Sequence, residues 1–367
     1  MRLFFIGMLL VLAVACHDDS PGPVNGEALR TVVVYLGVDN NFSGEDREKI
    51  ESLVSGWKSS FNGYLLVYAD PRGKAPYLTR IYWKDGKAVQ EEVRRYEESN
   101  SADPAVFRRV LTEITEEYPA QSYGLVVLSH GSGWLPAQAL ARPQSIITDG
   151  SSEMELKDFA GALPVKMDFV IFDACFMGSV EVAYELRDKA DYVVFSPAEV
   201  LVPGFVYKSM MTHLMKKKPD LKAVAREYYE YYDKQSGYYR SATVSVVKTE
   251  ALEELAVLSR QLLKDRDGEQ EVNLQKIQRF GYGRDLLYFD FGDYIRSLEP
   301  ARFEEFSKTL DKCVIYKAAT PSYYSVAVGG FTPINAFSGV AIYIPQSVYP
   351  SLNAAYRQLK WTKRVNL

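Results

Sequence analysis

Hydrophobic positions along this chain alternate between two patterns. Runs of β-branched and apolar residues over 31–38, 63–69, 125–128, 169–172 and 191–196 read as strands buried on both faces. Helical spacing separates them. Ile50, Leu53, Val54 and Trp57 recur at i, i+3, i+4, i+7, with Ser43 standing where an N-cap belongs. Asp103-Pro104 opens a helix whose apolar face is Phe107, Val110, Leu111 and Ile114. Further helices are predicted over 154–163 and 179–187, and 77–83 with 87–93 form a hairpin about Lys84-Asp85-Gly86. Strand–helix alternation of this kind predicts an α/β fold with a mostly parallel, doubly wound sheet. Sites in such sheets lie at the C-terminal edge of the strands. From about 215 onward the pattern is less regular. Helices are expected over 221–234 and 251–264, strands over 242–247, 313–319 and 339–345, and loops over 136–150 and 265–284.

The first residues follow different rules. Met1-Arg2 precedes an apolar run over 3–15, shorter than the about 20 residues needed to cross a bilayer. A short apolar run behind one positive charge and before small residues fits an export signal. Ala13-Val14-Ala15-Cys16 resembles a bacterial lipoprotein box, which implies lipid on Cys16 and anchoring in the cell envelope; a plain signal peptide cut after Ala15 is the alternative. His17-Asp18-Asp19-Ser20-Pro21-Gly22-Pro23 suits a tether, and its acidic pair resembles the surface-export signal of Bacteroidetes lipoproteins. The expected organisation is a signal over 1–15, a tether over 16–29 and a catalytic domain over 30–367 with a C-terminal extension from about 215.

Composition narrows the chemistry. Basic and acidic residues number 43 and 47, and without a long basic block nothing points to nucleic acid. Three histidines and three cysteines are present. His17 lies in the tether and His213 in an apolar stretch over 209–215, which leaves His130 as a reactive imidazole. Cys16, Cys175 and Cys313 have no zinc-type spacing, so no metal site is expected. Cys175 and Cys313 can pair in an exported protein, but the surroundings of Cys175 favour a free thiol, with Cys313 buried at a strand or helix end.

Two strands end abruptly at reactive groups: Leu128-Ser129-His130-Gly131 and Phe172-Asp173-Ala174-Cys175. Side by side in one sheet, they bring an imidazole and a thiol to the same rim. An imidazole can take the thiol's proton and return it to a leaving amine. The amides of Gly131 and Cys175 stand where an oxyanion needs donors. A non-catalytic binding lipoprotein on this scaffold, or a hydrolase of non-peptide amides, are the alternatives.

His130-Gly131-Ser132-Gly133-Trp134 and the stretch from Asp173-Ala174-Cys175-Phe176-Met177-Gly178 through Tyr184 resemble the two signature blocks of the clostripain family of cysteine peptidases. Val33 to Asn41 resembles that family's first strand and its Asp-Asn-Asn loop; Ser196-Pro197-Ala198-Glu199 with Pro203 to Tyr207, and Asp290-Phe291-Gly292-Asp293-Tyr294, resemble further blocks. The resemblance implies a caspase-like α/β/α sandwich and a His130–Cys175 dyad without a required third residue. It implies an endopeptidase cleaving after Arg or Lys, with Asp173 helping to hold the P1 side chain. Asp173 as a helix-capping carboxylate is the alternative. Some members carry a second pocket acid where this chain has Phe205 and Val206, and Glu199 is the residue available to compensate. Some are activated by cleavage after the histidine strand; Arg142 is the basic residue there, and Pro143 disfavours a cut. No cofactor is required. Some members need calcium, which stays open here because no EF-hand-type loop occurs.

Overall fold

The computed structural model describes residues 27–42, 44–137, 146–263, 272–282, 285–326 and 329–367. The expected signal, Cys16 and most of the expected tether lie outside the described residues, as do Ser43, Arg142 and Pro143. In chain order the elements open with β1 (Ala28–Val38), α1 (Glu45–Gly56), β2 (Gly63–Pro71), β3 (Tyr77–Lys84), β4 (Lys87–Arg95), α2 (Pro104–Glu117) and β5 (Ala120–Leu128). A two-residue hairpin, β6 (Thr148–Asp149) and β7 (Ser152–Glu153), precedes α3 (Leu156–Ala162), β8 (Met167–Asp173), α4 (Val180–Glu185), β9 (Ala190–Phe195), α5 (Tyr207–Leu214) and α6 (Leu221–Asp233). The remainder is β10 (Thr243–Lys248), α7 (Leu252–Leu263), β11 (Arg279–Tyr282), β12 (Asp285–Asp290), α8 (Phe291–Leu298), α9 (Phe303–Cys313), β13 (Val314–Ala319), β14 (Ser322–Ser325), β15 (Gly330–Pro333), β16 (Ala341–Tyr343), α10 (Pro350–Tyr356) and α11 (Lys360–Val365).

One sheet of nine strands organises the molecule, in the order β13-β10-β9-β8-β5-β1-β2-β3-β4. Its middle, β9-β8-β5-β1-β2, is parallel throughout. The β3–β4 hairpin and the β10–β13 pair add antiparallel edges. This is the mostly parallel α/β sheet expected from the sequence. Each central strand is apolar on both faces because each face has its own core. Val33, Tyr35, Leu125, Val127, Val170 and Phe172 point to the side of α2, α3, α4 and α7. Val32, Val34, Val126, Leu128, Phe169 and Ile171 point to the side of α1, α5 and α6. The alternation follows directly from the two-residue period of a strand.

Some elements differ from expectation, while the cysteines follow it. The stretch over 265–284 contains β11, paired antiparallel with β12, rather than only loop. Ile277 and Phe280 are buried there, and pairing with β12 supplies what a polar composition conceals. Helix α1 starts at Glu45 with Gly44 at its N-cap position and no side-chain cap. Cys313 is the buried last residue of α9, and both Cys175 and Cys313 are free thiols, so the alternative of a disulfide between them does not hold.

Helix α1 approaches α5 through Gly56, where an added Cβ would lie 1.8 Å from the Lys208 carbonyl oxygen. Gly56→Ala therefore forces the two helices apart. The expected loss is about 1–3 kcal/mol, the usual scale of overpacking, read as a lower urea midpoint at unchanged slope.

Candidate active site

Strands β5 and β8 run parallel with Leu128 opposite Asp173 at the end of the ladder. His130 and Cys175 each stand two residues beyond that pair, so both leave the sheet at one rim. The two exits touch. A Cβ on Gly131 would lie 2.6 Å from the Cys175 carbonyl oxygen and 3.0 Å from the Ala174 Cβ, so glycine after the histidine is what permits this approach.

His130 is held from the β1 side. Its Nε2 lies 2.5 Å from the Asn41 Oδ1, and its ring stacks on Phe42 at 4.2 Å between centroids. With Asn41 accepting, the neutral ring carries its proton on Nε2 and leaves the Nδ1 lone pair free. Asn40 fixes the loop that presents Asn41: its Nδ2 donates to the Gly37 carbonyl at 3.1 Å, and its Oδ1 accepts from the Phe42 amide at 2.9 Å. Burial pushes the His130 imidazole down to about 4. Asn41 was visible in the sequence only as part of a familiar loop. The usable signal was its position, just past the strand that neighbours the histidine strand.

Cys175 is half-buried and faces the β9 side. Its Sγ accepts from the Val200 amide at 3.3 Å. Burial pushes the thiol up to about 12, against the lowering effect of Val200 and with the charges of Glu199 and Asp173 adding to the rise. Thiol and imidazole are therefore both uncharged at neutral pH. The chain turns sharply after the cysteine. Phe176 takes a left-handed φ of 57°, uncommon for a bulky residue, and its amide donates to the Ala198 carbonyl at 3.0 Å. Nothing in the residue type announces that turn.

Asp173 lines the same narrow cleft as Cys175, and Phe42 forms part of its wall. Its Oδ2 accepts from the Tyr207 hydroxyl at 2.9 Å and from the Phe205 amide at 3.3 Å. It does not cap the next helix: Ser179 does, accepting from the Val182 amide at 3.4 Å. Burial pushes the Asp173 carboxyl up to about 6, opposed by the Lys49 ammonium, the Tyr207 hydroxyl and the Phe205 amide. Gly204, with φ 76°, passes over this carboxylate so closely that a Cβ would lie 2.2 Å from it.

Glu199 does not compensate for the missing second acid. It is buried, accepts from the Ser325 hydroxyl at 2.6 Å and the Val326 amide at 2.8 Å, and so ties the β14–β15 hairpin to the segment beside Cys175. Glu45 and Lys49, from α1, line the cleft instead. His213 sits on α5 with its Nε2 2.7 Å from Glu227. Among the described residues no group of three or more His, Cys, Asp or Glu side chains is placed to hold a metal ion.

A thiol and an imidazole leaving adjacent parallel strands, beside a buried carboxylate, define a cysteine hydrolase of α/β architecture. Comparison with known proteins makes this specific. The model of the clostripain family of peptidases matches residues 34–364. Clostripain of Hathewaya histolytica is 29% identical over 220 residues, which is 50% of this chain and 42% of clostripain, so the match spans less than half of that relative's length. Among solved structures, an inactive zymogen of a C11 protease from Parabacteroides distasonis is 35% identical, with a TM-score of 0.84 over 93% of this chain and 99% of that one. A secreted C11 cysteine protease from Bacteroides thetaiotaomicron, solved with an irreversible peptide inhibitor, is 30% identical, with a TM-score of 0.83 over 92% and 99%. The chain belongs to the clostripain family. It is a cysteine endopeptidase with the caspase-like α/β/α fold, and the alternatives of a binding-only scaffold and a non-peptide amidase give way to that.

The Asn41 contact has a measurable consequence. Asn41→Ala frees the imidazole to rotate, and kcat is expected to fall about 10- to 100-fold with little change in KM, the scale of a small misplacement of a reacting group. Steady-state kinetics on a peptide amide substrate check this.

Proposed function

We propose that this endopeptidase cleaves peptide bonds after Arg or Lys, with Cys175 as nucleophile and His130 as acid and base. The observation that carries the reading is the shared cleft of Asp173 and Cys175, beside a His130 ring that stacks on the cleft-lining Phe42. Because the resting thiol and imidazole are neutral, the proton moves as the substrate is attacked. The Cys175 Sγ–H proton passes to His130 Nδ1 while sulfur bonds to the scissile carbonyl carbon. The Gly131 and Cys175 amides receive the oxyanion. The imidazolium then gives its proton to the departing amine, leaving a thioester. Water, deprotonated by His130, hydrolyses that ester and restores the thiol. Asp173 attracts the cationic P1 side chain, whose charge a carboxylate in a poorly solvated cleft rewards.

We place this activity in an exported protein, lipid-anchored through Cys16. The N-terminal sequence supports that, as does the secreted character of the Bacteroides thetaiotaomicron relative. No helix among the described residues is long and apolar enough to cross a membrane.

Cys175→Ala is expected to abolish turnover of Arg- and Lys-ended amides; retained activity overturns the nucleophile. Asp173→Asn is expected to lower kcat/KM for Arg-ended substrates about 10- to 100-fold, the worth of a charge-assisted hydrogen bond, and to spare neutral P1 residues. The pH profile separates the two groups. Asp173 ionises at about 6, so kcat/KM for an Arg-ended substrate rises as pH increases through 6. His130, at about 4, is already deprotonated over that range and adds no step there. Asp173→Asn should flatten the step near pH 6.

A further inference from the structure

Lysine is almost never fully buried unless its charge is matched. Lys49 is 3% exposed and lies on α1, with its side chain in the wall of the cleft that holds Asp173 and Cys175. Its Nζ donates to the Pro203 carbonyl oxygen at 2.5 Å and ion-pairs with Glu45 at 2.9 Å. The same ammonium lies 5.4 Å from the centre of the Tyr207 ring, whose hydroxyl donates to Asp173. The cleft therefore contains two carboxylates, Glu45 and Asp173, and a resident cation. Lys49 makes no direct ion pair with Asp173, yet its field reaches that carboxylate. A guanidinium or ammonium that enters to meet Asp173 comes close to Lys49, in surroundings where like charges are weakly screened.

We infer that Lys49 is a specificity-determining residue: a built-in cation that competes with a basic P1 side chain for the negative field of the cleft. The inference rests on the reading of Asp173 as the P1 partner. Asp173 draws a basic side chain in, Lys49 opposes it, and Glu45 with the Pro203 carbonyl fixes where Lys49 stands. The chain's preference for Arg over a neutral residue of the same shape is then weaker than Asp173 alone would produce. Loss of the Lys49 charge leaves Glu45 as the second acid of the pocket, the role that Phe205 and Val206 cannot fill.

The test compares Arg with citrulline, its neutral isostere, at P1 of one peptide amide, using the full chain. Lys49→Met removes the charge and keeps the stem; Lys49→Gln also keeps a donor for the Pro203 carbonyl, and serves where Met at a buried position disturbs folding. Measured on the alkaline plateau of the pH profile, where Asp173 is ionised in every variant, the Arg-to-citrulline ratio of kcat/KM should rise about tenfold in either variant, through KM. Protection of Cys175 from iodoacetamide by arginine amide against citrulline amide reads the same ratio without turnover. A ratio that stays level or falls in a folded Lys49→Gln protein overturns the inference. Asp173→Asn separates the two ideas. If it collapses the ratio while Lys49→Gln leaves it unchanged, the inference alone fails. If Asp173→Asn also leaves the ratio unchanged, the reading of Asp173 fails and the inference with it.

Discussion

The parallel pairing of β5 with β8 is the constraint from which the site follows. Both strands are flanked by further strands and covered by helices on both faces, so their alternate residues are fixed to opposite cores. A slip of one residue would turn Val127 and Phe172 toward the wrong side and expose the mismatch across both layers. The register that pairs Leu128 with Asp173 is thus set by the whole sheet, and the sheet in turn decides that His130 and Cys175 leave at one rim. The close approach of Gly131 to the Cys175 carbonyl then leaves little freedom in how the two exits meet. The meeting of these two strand ends is a consequence of core packing.

The same burial that secures geometry also sets the charge states. A thiol at about 12 and an imidazole at about 4 form a neutral resting pair, because neither ion is well solvated at the rim. In the mechanism proposed above, neutrality at rest moves the charge separation into the reaction itself. Asp173 obeys the same rule with a different outcome. Its donors, Tyr207 and Phe205, and the field of Lys49 hold the carboxyl near 6 and stop a larger rise. Lys49 is itself tolerable in a buried wall only because Glu45 and the Pro203 carbonyl receive it. The cleft is a small balanced system of ions in which removing one member changes the field felt by every other.

Much of this was legible in the sequence. Unbroken apolar runs ending at His130 and Cys175 announced buried parallel strands, and helical spacing between them announced the layers. Those signals are strong because a strand buried on both faces admits few polar residues. The parts that stayed hidden depend on contacts between distant segments. Strand β11 gains its order from β12, and its own residues are too polar to signal it. The turn at Phe176 is imposed by the Ala198 carbonyl and by packing, with no glycine or asparagine to mark it. Glu199 looked available for the pocket, yet Ser325 and Val326, far along the chain, take its carboxylate. Nothing in the sequence around Lys49 sets it apart from the other charges of α1. Only the position of the 203–207 segment over α1 converts it into a buried ion.

The segment from β1 into α1 acquires unusual weight from this arrangement. Asn41 orients the imidazole, Phe42 supports its ring and walls the cleft, and Glu45 with Lys49 sets the cleft's charge. The hold on the His130 ring and the charge of the Asp173 cleft therefore come from one short stretch, pinned at one end by Asn40 on Gly37 and at the other by the contact of Gly56 with α5.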